Sequence, residues 1–292
     1  MKGLVFGKTG QVASSLAVHP SSLASVSFLD RARVDLRRPA DVRDAIAAAA
    51  PDVVINAAAY TNVDRAESEP DLARTINADA PAAMAEACAR SGAWLVHYST
   101  DYVFDGSATE PYREDDAVSP LNVYGQTKLA GEEAIREIHD RHLIFRTSWV
   151  YSNVGRNFLN TMLRLAGERD RLDIVADQIG APTSADSIAA ATDDVLRLLA
   201  SRGSDAVPAG TYHMTCAGRT SWHGFAQRIF ELTGWSAGIR LNPIPTAEYP
   251  TPARRPLFSV LSNEKLAREL GVRLDPWEDA LRKCLSERDE QQ

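Results

Sequence analysis

A tyrosine and a lysine four residues apart, Tyr124 and Lys128, have the residue types and the spacing for acid chemistry. At this spacing on a helix both side chains project from the same face, so the ammonium can lie beside the phenol. A free phenol has a pKa near ~10, and a close cation favours the phenolate. We therefore expect Lys128 to lower the pKa of Tyr124 and make it a proton donor at neutral pH. The alternative is a tyrosine that only packs at the surface, because this spacing is also common by chance.

The surrounding sequence predicts a strand and a helix that bring this pair to the end of a sheet. The apolar residues 93–98 predict a strand with Thr100 and Asp101 beyond its end, and residues 125–138 predict the helix of the tyrosine and the lysine. Ligands bind at the carboxyl ends of the strands in open parallel sheets. Thr100 and Asp101 are therefore candidates for the same site, whereas we interpret His97 as a core histidine of the strand.

The first residues have the pattern of a dinucleotide-binding unit. An apolar strand over residues 2–6 is followed by a turn with Gly7 and Gly10, and residues 11–18 predict a helix. Glycines in such a turn let backbone amides reach a pyrophosphate at the positive end of the helix. The third glycine of the usual fingerprint is replaced by Ala13, which weakens the motif.

A second predicted strand, residues 26–29, ends at Asp30, about twenty residues after the glycine turn. An acidic side chain at this position can accept hydrogen bonds from the adenosine ribose, which favours NADH. Arg31 and Arg33 favour NADPH instead, because a guanidinium can pair with its 2′-phosphate. The sequence leaves the choice of cofactor open, and a solvated loop is a further interpretation of these residues.

The order of these elements predicts an α/β fold, a Rossmann-like doubly wound parallel sheet with a smaller C-terminal α/β substrate-binding lobe. Residues 52–56 predict the third strand, and the small residues 57–61 beyond it leave room for a cofactor, although they would also suit helix packing. We assign residues 1–150 to the NAD(P)-binding domain, with a returning helix near 187–200. Residues 151–292 are assigned mainly to the substrate-binding lobe.

A proline-rich stretch in the C-terminal half carries two adjacent arginines. Five prolines between residues 243 and 256 predict a stiff loop around Arg254 and Arg255. Two guanidinium groups on such a loop can hold a diphosphate. A surface turn with solvated arginines would have the same composition.

Composition and charge limit the function further. Of the 292 residues 45% are hydrophobic and 24% charged, which is typical of a soluble globular protein, and no apolar run is long enough to span a membrane. No signal-peptide pattern precedes the first strand, so we expect a cytoplasmic protein. A net charge of −7 argues against nucleic-acid binding. The three cysteines are widely spaced, which predicts neither a disulfide framework nor a metal site.

Several blocks of sequence resemble the extended short-chain dehydrogenases and, within them, the dTDP-4-dehydrorhamnose reductase family. The resemblance extends over nearly the whole chain and is carried by residues 7–12, 56–64, 66–70, 97–104, 122–131, 145–151, 177–183 and 250–256. It implies reduction of the C4 ketone of dTDP-4-dehydro-L-rhamnose by NADPH or NADH to give dTDP-L-rhamnose. Tyr124 would then supply the proton, Lys128 would lower its pKa and bind the nicotinamide ribose, and Thr100 would orient the carbonyl.

The resemblance also implies two sets of binding residues. The cofactor set is Gly7, Gly10, Gln11, Val12, Asp30, Arg31, Asp35, Leu36, Ala57, Ala58, Ala59, Tyr60, Thr61, Tyr124 and Lys128. The substrate set is Thr100, Asp101, Trp149, Arg254 and Arg255, with the two arginines at the diphosphate. Some members of the family hold Mg²⁺ at a dimer contact through an acidic residue of the first helix. Ser15 occupies that position here, so we expect no bound metal, and the chain could be a monomer or a homodimer.

Two alternative functions share this pattern. One is a reductase or epimerase acting on another nucleotide sugar, because the tyrosine and lysine are common to the superfamily. The other is a regulatory subunit that resembles the β subunit of methionine adenosyltransferase and needs no turnover. The presence of Thr100, Tyr124 and Lys128 favours an enzyme, since a protein that only binds a partner has no chemical need for them.

Overall fold

The computed structural model describes residues 1–19, 22–202, 207–235 and 238–289. Its strands are β1 (Lys2–Phe6), β2 (Ser25–Leu29), β3 (Val53–Asn56), β4 (Trp94–Thr100), β5 (His142–Thr147), β6 (Val150–Tyr151), β7 (Arg171–Val175), β8 (Ile179–Gly180), β9 (Thr183–Ser184), β10 (Gly210–His213), β11 (Thr220–Ser221) and β12 (Arg240–Ile244). Six of them form one parallel sheet in the order β10-β5-β4-β3-β1-β2. The remaining strands form two-stranded pairs, β11 with β8, β12 with β7 and β6 with β9.

The helices are α1 (Gln11–Val18), α2 (Pro39–Ala49), α3 (Val63–Ala66), α4 (Pro70–Arg74), α5 (Ala80–Ser91), α6 (Val123–Ile138), α7 (Phe158–Ala166), α8 (Ala185–Arg202), α9 (Trp222–Thr233) and α10 (Trp277–Asp289). A π-helical segment, Thr75–Asp79, joins α4 to α5, so residues 70–91 form one continuous helix with a wider turn inside it. A second π-helical segment spans Leu266–Leu270. None of the helices in the described parts of the chain combines the length and apolarity that a membrane span requires.

Helices cover both faces of the main sheet, which explains why its inner strands are apolar along their whole length. Side chains of α8 such as Ile188 and Leu199 pack on one face, and Ile46 of α2, Met84 of α5 and Ile135 of α6 pack on the other. The predicted Rossmann-like fold is confirmed. The predicted returning helix corresponds to α8, and β10, which follows it, extends the main sheet.

The C-terminal part has a core of its own. Buried side chains of β6, β7, α7, α9 and α10 form one cluster, in which Phe225 and Leu281 are fully buried. Part of the predicted proline-rich loop is in fact strand β12, where Pro243 pairs with Ile174. A proline is tolerated there because each strand of a two-stranded sheet is an edge and has N–H groups without a ladder partner. The division of the chain at residue 150 stays a prediction.

Candidate active site

A cavity of about 540 Å³ lies at the carboxyl ends of β1, β3 and β4. Fourteen of the fifteen residues predicted to bind the cofactor line it: Gly7, Gly10, Gln11, Val12, Asp30, Arg31, Asp35, Leu36, Ala57, Ala58, Ala59, Thr61, Tyr124 and Lys128. Tyr60 is not among the lining residues. Its hydroxyl donates to Glu69 at 2.7 Å, and its backbone N–H donates to Asn77 at 2.8 Å, so it holds the loop after β3 in place.

The glycine turn has the shape that a pyrophosphate site requires. Gly7 has φ of +111°, and a Cβ there would lie 3.0 Å from the carbonyl oxygen of Ala57 and 3.4 Å from the Cβ of Ala13. Ala13 is fully buried, so an alanine in place of the third glycine packs beneath the turn. The first turn of α1 contains no acidic side chain, and its N–H groups are therefore suited to an anion.

The far end of the cavity carries the residues that bear on the choice of cofactor. Oδ1 of Asp30 accepts two backbone N–H groups of the following turn, each at 3.1 Å. Asp35 is paired with Arg37, and this hydrogen bond lowers the pKa of Asp35 to about 2. Arg31 lines the cavity beside them and is exposed. Both predicted determinants, acidic and basic, are therefore present at this end.

Residues of the C-terminal half also line the cavity, which the sequence did not predict. Oε1 of Gln11 accepts from Ser152 at 3.1 Å and from Asn157 at 2.8 Å. These bonds tie the glycine turn to the loop of residues 152–157, whose Gly155 and Arg156 line the cavity. The other lining residues not predicted are Phe6, Lys8, Thr9, Leu29, Val34, Asn56, Ile76, Tyr98, Ser99, Thr147 and Val150. Only the residues at strand ends, such as Thr147, could have been predicted from the sequence, because they follow apolar runs that predict strands.

Tyr124 lines the cavity, and Thr100 lies close enough to its phenol to act on the pKa of the phenol. The Thr100 hydroxyl donates to Asp101 at 3.0 Å and accepts the N–H of Tyr102 at 3.1 Å, so two partners set its position. Asp101 is 2% exposed, and burial raises its pKa to about 7. The edge of the Tyr102 ring packs against Tyr124 with centroids 5.8 Å apart.

In this structure Lys128 is not among the groups that act on the pKa of Tyr124, and its expected effect on the phenol stays a prediction. Burial raises the pKa of Tyr124 to about 12, with the Thr100 bond acting against it and the charge of Asp101 adding to it. The hydrogen bonds of Lys128 to described residues run to the Tyr98 carbonyl oxygen, 2.6 Å away, and to Nε2 of His97, 3.1 Å away. The spacing correctly placed both residues on one helix, but the Lys128 amine is bonded to Tyr98 and His97 rather than to Tyr124.

None of the five predicted substrate residues is among those that line the cofactor cavity. Asn122, the N-cap of α6, accepts the N–H of Gly125 and donates to the backbone carbonyl of Arg254, both at 2.8 Å. The Arg254 side chain is exposed. Arg255 pairs with Asp64 at 2.8 Å, so its charge is already balanced.

Trp149, the remaining predicted substrate residue, lies just beyond the end of β5. It has φ of +46°, an uncommon conformation for a bulky side chain. Its ring stacks on Trp222 with centroids 3.5 Å apart, and Nε1 of Trp222 donates to Gln178 at 3.1 Å. The indole is therefore held as a fixed, half-buried platform.

Comparison with known proteins identifies the family. A family model described as RmlD substrate binding domain matches residues 1–290. The dTDP-4-dehydrorhamnose reductases of Burkholderia thailandensis and Shigella flexneri are 48% and 45% identical, each over 98% of this chain and 98% of the relative. The chain belongs to the dTDP-4-dehydrorhamnose reductase family.

Solved structures of dTDP-4-dehydrorhamnose reductases have the same fold. That of Clostridium acetobutylicum matches with a TM-score of 0.91 and 38% identity over 98% of this chain and 99% of that chain. That of Bacillus anthracis, solved in complex with NADP, matches with a TM-score of 0.90 and 35% identity over the same shares. The resemblance inferred from the sequence, and the interpretation as an oxidoreductase, are confirmed. These relatives support the reductase rather than either alternative function.

Ser15 stands where the resemblance implies an acidic magnesium ligand in some family members. Ser15 on α1 is 5% exposed. Over the described ranges, no cluster of three or more His, Cys, Asp or Glu side chains is placed to hold a metal ion.

Proposed function

We propose that this protein reduces the C4 ketone of dTDP-4-dehydro-L-rhamnose with NADPH or NADH and forms dTDP-L-rhamnose, the last step of dTDP-L-rhamnose biosynthesis. The observation that carries the proposal is the position of Tyr124, which lies beside Thr100 and lines a cavity of about 540 Å³ together with the glycine turn. The activity named for its close relatives supports it.

The cavity residues hold the cofactor. The N–H groups at the start of α1 and the turn around Gly7, which line the cavity, bind the pyrophosphate. Asp30 and Arg31 contact the adenosine ribose and its 2′-substituent. When bound, the reduced nicotinamide supplies a hydride to the ketone carbon.

Tyr124 donates the proton that completes the alcohol. Its raised pKa keeps the phenol protonated throughout the neutral range, which is the form a proton donor needs. An alkoxide is a stronger base than a phenolate, so proton transfer from Tyr124 to the developing oxyanion remains favourable. The poorly solvated surroundings that raise this pKa also strengthen the hydrogen bond offered to the oxyanion.

Thr100 fixes the direction of that proton transfer. Its hydroxyl is held by Asp101 and by the Tyr102 N–H, so it presents one orientation to the Tyr124 phenol. A carbonyl oxygen beside the phenol can accept its proton, and Thr100 can also donate to that oxygen when its hydroxyl proton turns away from Asp101. Asp101 therefore acts on the reaction through Thr100 and in this way supports the binding site.

The residues around the tyrosine bind the sugar nucleotide. The half-buried indole of Trp149, fixed by Trp222, offers an apolar face to a sugar or a base. Arg254 has no ion-pair partner among the described residues and is suited to the diphosphate. The charge of Arg255 is shared with Asp64, so we assign it a larger part in holding the loop than in binding phosphate.

The test is the loss of nicotinamide absorbance with purified protein, dTDP-4-dehydro-L-rhamnose and either cofactor. Tyr124→Phe should lower kcat by a factor on the order of 10² to 10⁴ with little change in substrate affinity measured by calorimetry. Tyr249→Phe, a change at an exposed tyrosine, is the matched control and should leave kcat unchanged. Near-normal turnover by Tyr124→Phe would remove the role assigned to this phenol.

A substrate panel tests the sugar itself. The protein should reduce the rhamnose precursor faster than other 4-keto nucleotide sugars, and a preference for another sugar would contradict the proposal. We place this activity in the cytoplasm, acting on a free nucleotide sugar without nucleic acid, in a monomer or a homodimer. Cell fractionation measures the location, and light scattering measures the oligomeric state.

A further inference from the structure

Lys128 is bonded to strand β4 by two hydrogen bonds that the proposed reaction does not use. Its Nζ donates to the Tyr98 carbonyl oxygen at 2.6 Å and lies 3.1 Å from Nε2 of His97. Lys128 is 2% exposed and His97 is fully buried. Water therefore does not separate these two titratable groups, and the protonation of one depends on the other.

Asn56 determines which nitrogen of the His97 ring carries a proton. The two residues are paired in the register of β3 and β4, with Nδ2 of Asn56 3.0 Å from Nδ1 of His97. Oδ1 of Asn56 accepts the N–H of Ala58 at 3.3 Å, so the amide NH₂ faces the ring. An NH₂ group can only donate, and Nδ1 must therefore accept. A neutral imidazole then carries its one proton on Nε2, directed at Lys128.

This tautomer discriminates between the two forms of Lys128. An ammonium has three donors and no acceptor, so the Nε2–H of His97 would face another donor. A neutral amine has a lone pair that accepts from Nε2–H, and it can still donate to the Tyr98 carbonyl. Burial acts in the same direction, because it lowers the pKa of Lys128 to about 8 and the pKa of His97 well below its usual value.

The other charged groups around Lys128 do not reverse this preference. Glu132, one helical turn away, raises the pKa of Lys128 by its charge, but its carboxylate is held by Arg146 and Arg136. Tyr124 is a neutral phenol, because burial raises its pKa.

We propose that Asn56 and His97 are positioning residues, which hold Lys128 apart from Tyr124 and lower its affinity for a proton. The family resemblance implies that Lys128 binds the proton-donor tyrosine and the cofactor ribose, and its affinity for a proton rises when it leaves His97 for them. The proposal rests on the proposed function only for this destination. The holding site itself is a property of the protein without substrate.

The first experiment reads the tautomer directly. The chain contains six histidines, so protein labelled with ¹⁵N in the imidazole rings gives six pairs of signals, and His97→Gln assigns one pair by its loss. The expected result is a His97 ring with Nε2 protonated and Nδ1 unprotonated from pH 6 to pH 9. A ring protonated at Nδ1, or at both nitrogens, would overturn the proposal. This measurement is made on the unaltered protein and does not depend on whether a variant folds.

The second experiment measures the pKa of Lys128. The chain has only five lysines, so ¹³C labels at Cε give few signals: Lys2, Lys8, Lys128, Lys265 and Lys283. In the unaltered protein the Lys128 signal should titrate near pH 8. In His97→Gln a side-chain carbonyl can turn towards the ammonium, and the midpoint should rise by about one pH unit, a tenfold gain in proton affinity.

His142→Gln is the matched control. His142, the first residue of β5, is also a buried histidine of the main sheet, but it bonds to the His139 carbonyl oxygen and not to Lys128. It should leave the Lys128 midpoint unchanged. An unchanged or lowered midpoint in His97→Gln would refute the holding site. Neither titration needs substrate, so a protein that reduced no sugar could still confirm this inference, and an active one could still contradict it.

Discussion

Replacing Glu132 by glutamine should weaken the fold strongly, because it breaks a buried ion pair behind the proposed active site. Glu132 is fully buried on α6, one turn beyond Lys128. Its oxygens accept from Nε and Nη2 of Arg146 at 3.0 and 2.8 Å, and from Arg136 and Ser99 as well. Glutamine keeps the shape but removes the charge and turns one acceptor into a donor. Arg146, 3% exposed, would then be a buried cation without a carboxylate.

The magnitude follows from this burial. Removing one partner of a buried pair costs about 3–5 kcal/mol, a large share of the roughly 5–15 kcal/mol that stabilises a typical protein. We expect the melting temperature to fall by roughly 5–15 °C at neutral pH. Burial alone would raise the pKa of Glu132, but the bonds and the charge of Arg146 outweigh it and the pKa is lowered. This stabilisation is therefore present above the unfolded pKa of about 4.3 and is lost as pH falls through the folded pKa.

Calorimetry and denaturant unfolding between pH 3 and pH 8 measure the effect. Glu137→Gln, an exposed change on the same helix, should alter the stability by less than about 0.5 kcal/mol. The double variant Glu132→Leu with Arg146→Met removes both charges and should recover most of the loss, since an apolar pair leaves no buried cation. A loss below about 1 kcal/mol in Glu132→Gln at pH 7, or a loss that persists undiminished at pH 3, would refute this account.

Three further predictions concern the cofactor, the metal and the packing of α6. Arg31→Ala should raise KM for NADPH roughly tenfold to a hundredfold and leave KM for NADH nearly unchanged. Arg33→Ala should change neither constant, because Arg33 does not line the cavity. Equal effects of Arg31→Ala on both cofactors would contradict the role of Arg31. EDTA should leave the reductase rate unchanged, and a large loss restored by Mg²⁺ would show a metal requirement. Gly131→Ala should destabilise the protein by about 1–3 kcal/mol, because its Cβ would meet the carbonyl oxygen of Asn77. Gly167→Ala should change little, because its Cβ would lie 3.8 Å from the carbonyl oxygen of Arg164. Similar melting temperatures for the two variants would argue against the close contact at Gly131.

Much of the fold and most of the cofactor cavity could be predicted from the sequence because both follow from local patterns. Apolar runs of strand length alternate with helical periodicity, and parallel strands placed side by side end at one edge of the sheet. The residues that follow β1, β3 and β4 therefore meet, although residues 7–12, 57–61 and 99–101 are far apart in the chain. Their proximity is therefore predictable from the order of strands alone, without any information on contacts.

Features that depend on distant partners were not predictable in this way. The loop of residues 152–157 reaches the cavity through bonds to Gln11, and no local pattern indicates a partner that far along the chain. Strand β12 was hidden because Pro243 argues against a strand unless it lies at an edge, and only the pairing with β7 shows that it does. The ion pair between Arg255 and Asp64 was missed for the same reason.

The relation of Tyr124 to Lys128 shows where local reasoning ends. Helical spacing decides that two side chains leave the same face, but a lysine has four rotatable bonds and can bind any acceptor within reach of its stem. In this structure β4 places a carbonyl and an imidazole closer to the amine than the phenol, and burial then acts on both groups. Burial disfavours each charged form, so it raises the pKa of the phenol and lowers the pKa of the amine. Burial therefore works against an ion pair between the two groups, and such a pair would require the cofactor or substrate to change what surrounds Lys128.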